Sequence, residues 1–456
     1  MANSGKRQHA IIIGGGFGGM YAARKLGGAD VDVTLIDRRN FHLFQPLLYQ
    51  VATGGLSPGD IAAPLRSVLR SERNVSVIQG EVIDLDLSTR KVILRDDVLS
   101  YDYLIVATGS THHYFGKDEN EPLAPGLKTV EDALELRRRI FAAFEAAEKT
   151  DDPEEIERLM TFVIAGAGPT GVEMAGAISE IALNTLRRDF RKIDPSSARV
   201  ILVEGLDRVL TGFPEKLSRR AEDQLREIGV EVITGCLVTE VAPDHVVITD
   251  KDKNERRVET HTVLWAAGVK GTGMANLLAG DNGDLLDKMN RVKVEPDLTL
   301  PGHPGVFVVG DLAHFPHQTG QPLAALAPVA MQQGKYAARV IRKRAGDPAY
   351  QPKPFHYWDR GNLATIGRSA AVGTIWKFRF SGWIAWVAWL FVHLMYLVEF
   401  NNRLIVFIQW TWNYITRNRG ARLITDTGWK PHTGSNVDRA RVKPAPSEEQ
   451  ESETSS

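Results

Sequence analysis

Two short glycine patterns constrain this chain more than anything else in it. Gly14, Gly16 and Gly19 form GxGxxG directly after the apolar run HAIII, and Gly166, Gly168 and Gly171 form it again after TFVIA. Each apolar run reads as a short buried strand, each glycine cluster as a turn, and the residues beyond (MYAARKL, then VEMAGAISEI) as a helix. A further strand closes each unit, VDVTLID at 31–37 and RVILVE at 199–204. One chain therefore carries two βαβ units, and the fold class is α/β with two Rossmann-like domains.

The spacing of these glycines has a physical reason. The first turns the chain, the second lets a pyrophosphate approach the backbone, and the third lets helix and strand pack closely, while the helix N-terminus attracts the negative charge. In the first unit Gly14, Gly16, Phe17 and Gly19 would hold a dinucleotide, with Asp37 at the end of the next strand placed for ribose hydroxyls. In the second, Glu204 takes the corresponding place and favours NAD over NADP, although Arg208 lies close in sequence. Two dinucleotide sites in one chain suggest FAD paired with NADH, because hydride passes from nicotinamide to flavin only when one protein holds both rings in contact.

The remaining pattern fits two halves. A strand running into Ala107, Thr108 and Gly109 follows the first unit, and one running into AAG, with Ala267 and Gly268, follows the second. Residues 130–160 have helical apolar spacing broken by DDP and read as a connector helix and a short second one. VFVVGDLA, containing Gly310 and Asp311, then precedes another helical pattern. The expected division is a discontinuous FAD-binding domain (1–115 and 290–348), an NADH-binding domain with the connector (116–289), a C-terminal membrane-anchoring region (349–430) and a disordered polar tail (431–456).

Composition removes other classes. With 55 basic against 56 acidic residues there is no basic surplus for nucleic acid. The single cysteine, Cys236, permits neither an intrachain disulfide nor a CxxC pair, so redox work requires a bound cofactor. The apolar run before Gly14 is too short for a signal peptide, which points to the cytoplasm. Without cysteines or an HExxH pattern, His42, His112, His113, His314 and His317 read as packing or surface residues, and no metal is expected.

On the two glycine patterns, ATGS at 107–110, AAG at 266–268 and VFVVGDLA, the chain resembles the flavoprotein pyridine-nucleotide oxidoreductases of the two-dinucleotide type, from about residue 9 to 345. The resemblance implies that Asp311 bonds the ribitol of FAD. Where disulfide reductases carry a cysteine pair, this chain reads NFHLFQPLLYQVATGGLSP, and that stretch is similar to one in type II, non-proton-pumping NADH:quinone oxidoreductases. The same resemblance implies quinone contacts at Gln45 and Pro46, which otherwise simply shape a loop. It implies more of them along Ala327, Pro328, Val329, Ala330, Met331 and Gln332, where Pro328 stands in place of the family's glutamine. Glu173 matches a glutamate near nicotinamide and flavin, and is equally a first-turn acid favoured by the helix dipole. Glu173 and Gln332 are the candidate catalytic residues.

Six of the nine tryptophans fall between 376 and 412. Trp383–Val398, as a helix, would reach about 24 Å, short of the roughly 30 Å of hydrocarbon that a span must cross. Asn401, Asn402 and Arg403 interrupt, and LIVFIQWTWNYI at 404–415 reads as a second helix. Tryptophans flanked by cations suit helices lying in the headgroup region, on the cytoplasmic face of the cell membrane; a homodimer interface is the alternative use. The expected activity is hydride transfer from NADH to FAD and two electrons onward to a membrane quinone. The alternatives are an NADH-dependent reductase of a soluble protein such as a ferredoxin, and a slow NADH-sensing flavoprotein.

Overall fold

A computed structural model of the protein describes residues 7–376, 378–416 and 419–425. The expected disordered tail, 431–456, lies outside them.

Both βαβ units form, because buried runs such as Ala10–Ile13 and Thr161–Ala165 are apolar enough to be enclosed on both faces, as parallel strands require. Gln8–Ile13 pairs in parallel with Val31–Asp37 on one side and Tyr103–Val106 on the other. Val75–Gln79 extends the first edge, and His303–Val308 with Thr299–Leu300 extends the second, giving six strands. The first sheet thus draws strands from two distant parts of the chain. Thr161–Ala165 is likewise flanked by Arg199–Glu204 and Thr262–Trp265, with Val230–Thr234 outermost, in a sheet of four.

In each sheet the chain order reverses beside the central strand, and the crevice at such a reversal is where α/β sheets bind ligands. The backbones leaving the ATG and AAG segments meet there: Ser110–His112 pairs antiparallel with Val269–Gly271 and ties the halves together. The connector is a helix over Val130–Ala147, capped by Thr129 and Asp132 in a reciprocal box, and Pro153–Leu159 follows.

The region after Ala349 departs from the sequence expectation. Leu363–Gly367, Ala370–Ile375 and Phe378–Ser381 form a three-stranded antiparallel sheet that the aromatic pattern had hidden. Its first strand packs on the helix Pro169–Glu180 at Gly176, where any Cβ would collide with the carbonyl oxygen of Ile366. Two helices follow, Trp383–Tyr396 and Phe400–Thr416. Asn401, Asn402 and Arg403 do not interrupt but start the second helix, because Asn402 Nδ2 donates to Ala62 O at 3.3 Å and Arg403 Nε donates to Leu397 O at 2.7 Å. The chain turns between the helices at Glu399, which has φ of 68°. Among the described residues, no helix is long and apolar enough to cross a membrane.

Candidate active site

The two glycine turns are superimposable in logic. Gly14 and Gly166 have φ of 101° and 97°, a region closed to most side chains. A Cβ on Gly19 would strike Gly14 O, and one on Gly171 would strike Gly166 O, whereas Gly16 and Gly168 face open space. Each turn is held by the carboxylate of the next strand. Asp37 Oδ2 accepts from Gly15 N at 2.6 Å, and Glu204 Oε2 accepts from Ala167 N at 2.7 Å. Arg208 turns aside, donating to Phe213 O at 2.9 Å and Thr211 O at 3.1 Å.

A single cavity of about 1040 Å³ joins these features. It runs from Gly14–Gly18 and Asp37, past Ala107–Ser110 and Gly310–Asp311, to Gly168, Glu173 and the C-terminal helix residues Val392, His393 and Tyr396. Gly109 and Gly310 turn the backbone at its wall with φ of 72° and 75°. Asp311 Oδ2 accepts from Ser110 Oγ at 2.8 Å and lies 3.5 Å from Lys128 Nζ. Gly310 N donates to Gln333 Oε1 at 2.7 Å, which explains why a glutamine is fully buried beside the GD turn. These residues fit FAD: an open Cβ position at Gly16, free helix N–H groups beyond it, and a carboxylate at Asp311 facing one elongated cavity. Ala267 and Gly268 lie at the facing turn, where His113 N donates to Gly268 O at 3.2 Å and links the halves.

Of the residues expected at a quinone, Gln45, Pro46, Ala327 and Ala330 line the cavity, with Pro328 and Met331. Gln332 does not. Its Nε2 donates to Trp358 O and its Oε1 accepts from Trp358 N, both at 3.0 Å, so the amide is consumed in holding a neighbouring segment.

Glu173 sits between two cavities. It and Tyr49 line both the large one and a second of about 350 Å³ that is bounded by Trp386, Trp389 and Trp410. Burial pushes the Glu173 carboxyl up to about 8, opposed by the Thr365 backbone N–H and the Trp389 side chain. Glu173 is the fifth residue of the helix Pro169–Glu180, beyond a first turn that holds no acid, so it is not the first-turn acid that the helix dipole would favour. Burial likewise raises Tyr49 well above its usual value, with Glu173 adding to the shift. His393 is lowered to about 4 by burial and is therefore neutral, its Nδ1 2.7 Å from Trp389 O. His42 is also pushed down to about 4 by burial, its Nδ1 2.9 Å from Gly15 O. Lys128, His393 and Trp389 carry no motif that marks them as site residues, and Tyr49 is carried within the NFHLFQPLLYQ stretch without a pattern of its own. Among the described residues, no three His, Cys, Asp or Glu side chains gather as a metal site would require.

The family pattern of the pyridine nucleotide-disulphide oxidoreductases matches residues 8–334, and the chain belongs to that family. It is 48% identical over 429 residues to the type II NADH:quinone oxidoreductase NdhA of Mycobacterium tuberculosis, spanning 92% of this chain and 90% of that protein. To Ndh of the same organism it is 45% identical over 428 residues, spanning 92% and 91%. These identities place it among the type II NADH:quinone oxidoreductases. In fold it is similar to NDH2 from Plasmodium falciparum, solved in complex with NADH, with a TM-score of 0.81 over 90% of this chain and 98% of that one at 20% identity. The sulfide:quinone oxidoreductase of Aquifex aeolicus gives 0.61 over 90% and 92%.

Proposed function

We propose that the protein oxidises NADH at the turn Gly166–Gly171 and reduces a quinone beside Glu173, without pumping protons. The observation that carries this reading is the continuity of one cavity from the first glycine turn to the C-terminal helix. FAD, when bound, supplies the carrier that takes hydride from nicotinamide and passes two electrons to the quinone.

The protein's own groups do the rest. Gly14, Gly16, Phe17 and Gly19 would shape the pyrophosphate cradle, with Asp37 holding the turn, and Asp311, kept in place by Ser110 and Lys128, would meet the ribitol. On the NADH side Gly168 leaves room for phosphate and Glu204 fixes the turn; with Arg208 engaged elsewhere, no cation there favours a 2′-phosphate. Glu173, neutral at physiological pH because it is buried, is placed to donate a proton to the quinone. Gln45, Pro46, Ala327, Ala330 and Met331 form the quinone's surroundings.

The quinone enters from the lipid. Ile384 (66% exposed), Phe391 (65%), Trp412 (63%) and Ile415 (72%) present an apolar face too large for water alone. The helices lie in the membrane surface, on the cytoplasmic side.

The test is anaerobic. In detergent-solubilised protein the flavin bands should bleach on adding NADH and return on adding a short-chain quinone. Absence of flavin sinks the reading, and bleaching that quinone cannot reverse moves the acceptor to a soluble protein. Paired Phe391→Asp and Ile415→Asp changes should release the protein from lipid vesicles while NADH still bleaches it.

A further inference from the structure

Glu173, just past the first turn of the helix Pro169–Glu180, and Trp389, on the buried face of the helix Trp383–Tyr396, meet at one cavity. Trp389 is 1% exposed. Its ring is fixed by His393, stacked at 4.2 Å between centroids, by Trp410 at 5.6 Å and by Tyr49, edge-on at 6.4 Å. Its Nε1 is buried with no acceptor in good hydrogen-bond geometry among the described residues, an exception to the rule that buried donors are paired. Trp389 and Glu173 line the same second cavity, and the polar group that this N–H faces is the Glu173 carboxyl. Packing alone would be served by phenylalanine at this position, so a buried N–H turned toward a carboxyl asks for a role.

We propose that Trp389 is a positioning residue whose N–H receives the Glu173 carboxylate after that group has given its proton to the quinone. The proposal rests on Glu173 as the donor. In the step, the O–H bond of Glu173 breaks and an O–H bond forms on the quinone oxygen, whose electrons come from NADH. The charge left behind is buried, and a charged acceptor shortens and strengthens the hydrogen bond that the neutral acid leaves poorly aligned. The Thr365 backbone N–H, from the strand Leu363–Gly367, is its companion donor. A proton from solvent then restores the acid. The C-terminal helix therefore does more than sit at the membrane: it holds the charge that proton transfer creates.

The other titratable groups around Glu173 leave this role to Trp389. Tyr49 from the helix Leu48–Ala52 keeps its proton and accepts from Gln50 Nε2 at 2.9 Å. Glu180, on the same helix as Glu173, is paired with Arg419 at 3.2 Å. Arg368, after the strand, lies over the ring of Tyr414 at 4.1 Å. His393 is neutral and behind the indole ring.

The test follows the carbonyl stretch of protonated Glu173 by infrared difference titration of the flavin-loaded protein in detergent, assigned by its loss in Glu173→Gln. In Trp389→Phe the midpoint should rise by about one pH unit, the effect of one lost donor to a carboxylate. The alkaline limb of the quinone kcat should move with it while the NADH KM stays fixed. An unmoved midpoint overturns the proposal. Should Trp389→Phe lose its flavin, the ¹⁵N-indole signal of Trp389 in the unaltered protein decides: it should titrate with Glu173 and go flat in Glu173→Gln, and a flat signal from the outset overturns the proposal. Undiminished quinone turnover in Glu173→Gln would overturn the donor reading itself, a result separable from the titration.

Discussion

At the first glycine turn the helix begins in the interior: Phe17 and Gly18 are buried, the Gly15 backbone lies under Leu65, and His42 is enclosed with its Nδ1 on Gly15 O. At the second, the residues in the same places, Pro169 and Thr170, are exposed, and among the described residues no histidine bonds to the turn. The backbones and the bracing carboxylates match, so the difference lies in what covers them. A covered turn suits a group that stays through many turnovers, and an open one suits a substrate that must leave after each. On the proposed assignment of the two turns, kinetic residence would be set by neighbours of the motif, not by the motif.

The comparison can be broken most severely with Gly19→Ala and Gly171→Ala, which place the same methyl against the same carbonyl. Gly19→Ala should yield protein without flavin absorbance and without activity. Gly171→Ala should keep its flavin and lose NADH efficiency, kcat/KM falling by about 100-fold, as a misplaced substrate contact costs. Equal flavin loss in both would show that the halves do not work separately.

Next in size is Glu173, at the end of the open turn. Glu173→Gln should lower quinone turnover by about 100-fold or more, the usual worth of a general acid, while NADH still bleaches the flavin. In the unaltered protein, quinone kcat should fall as pH rises through about 8, where the acid form disappears. Because the folded carboxyl holds a proton that the unfolded chain releases above about 4.3, Glu173 costs stability as pH climbs from there to about 8. Thermal melts should therefore find Glu173→Gln more stable than the parent at pH near 8 and indistinguishable at pH near 4.

The bracing carboxylates sharpen the contrast further. Asp37→Ala should speed flavin loss, and Glu204→Ala should raise the NADH KM by about 10-fold, since each orphans an N–H held by a charged acceptor. Flavin dissociation and steady-state kinetics measure them. The smallest effect belongs to Arg208→Ala, whose guanidinium is occupied with Phe213 O and Thr211 O; the preference for NADH over NADPH should change by less than about threefold, in keeping with a bond remote from the ligand.

What the sequence revealed and what it hid divide along range. The turns, Asp37 and Glu204 were legible because each βαβ unit is local, its parts within about forty residues and fixed by steric rules. Lys128 reaching Asp311, and Trp389 reaching Glu173, join residues far apart in sequence with no periodicity to announce them. Gln332 was placed by resemblance, and the Trp358 backbone claims it instead. Asn401–Arg403 looked like a break because polarity was taken for exposure; Asn402 and Arg403 bond inward to Ala62 O and Leu397 O and so begin a helix.

The helix Pro169–Glu180 carries the second glycine turn at its start, Glu173 just past its first turn, and at Gly176 the strand that leads to the C-terminal helices. From Gly171 to Gly176 is about 7.5 Å along the axis. Mechanically this is a stiff rod with the proposed nucleotide turn at one end and, near the other, the sheet that leads to the exposed apolar helices. With those helices on a bilayer, as proposed, lateral pressure or thinning of the lipid would be delivered within two turns of the proposed nicotinamide site, making lipid composition a setting of the enzyme and not just its address.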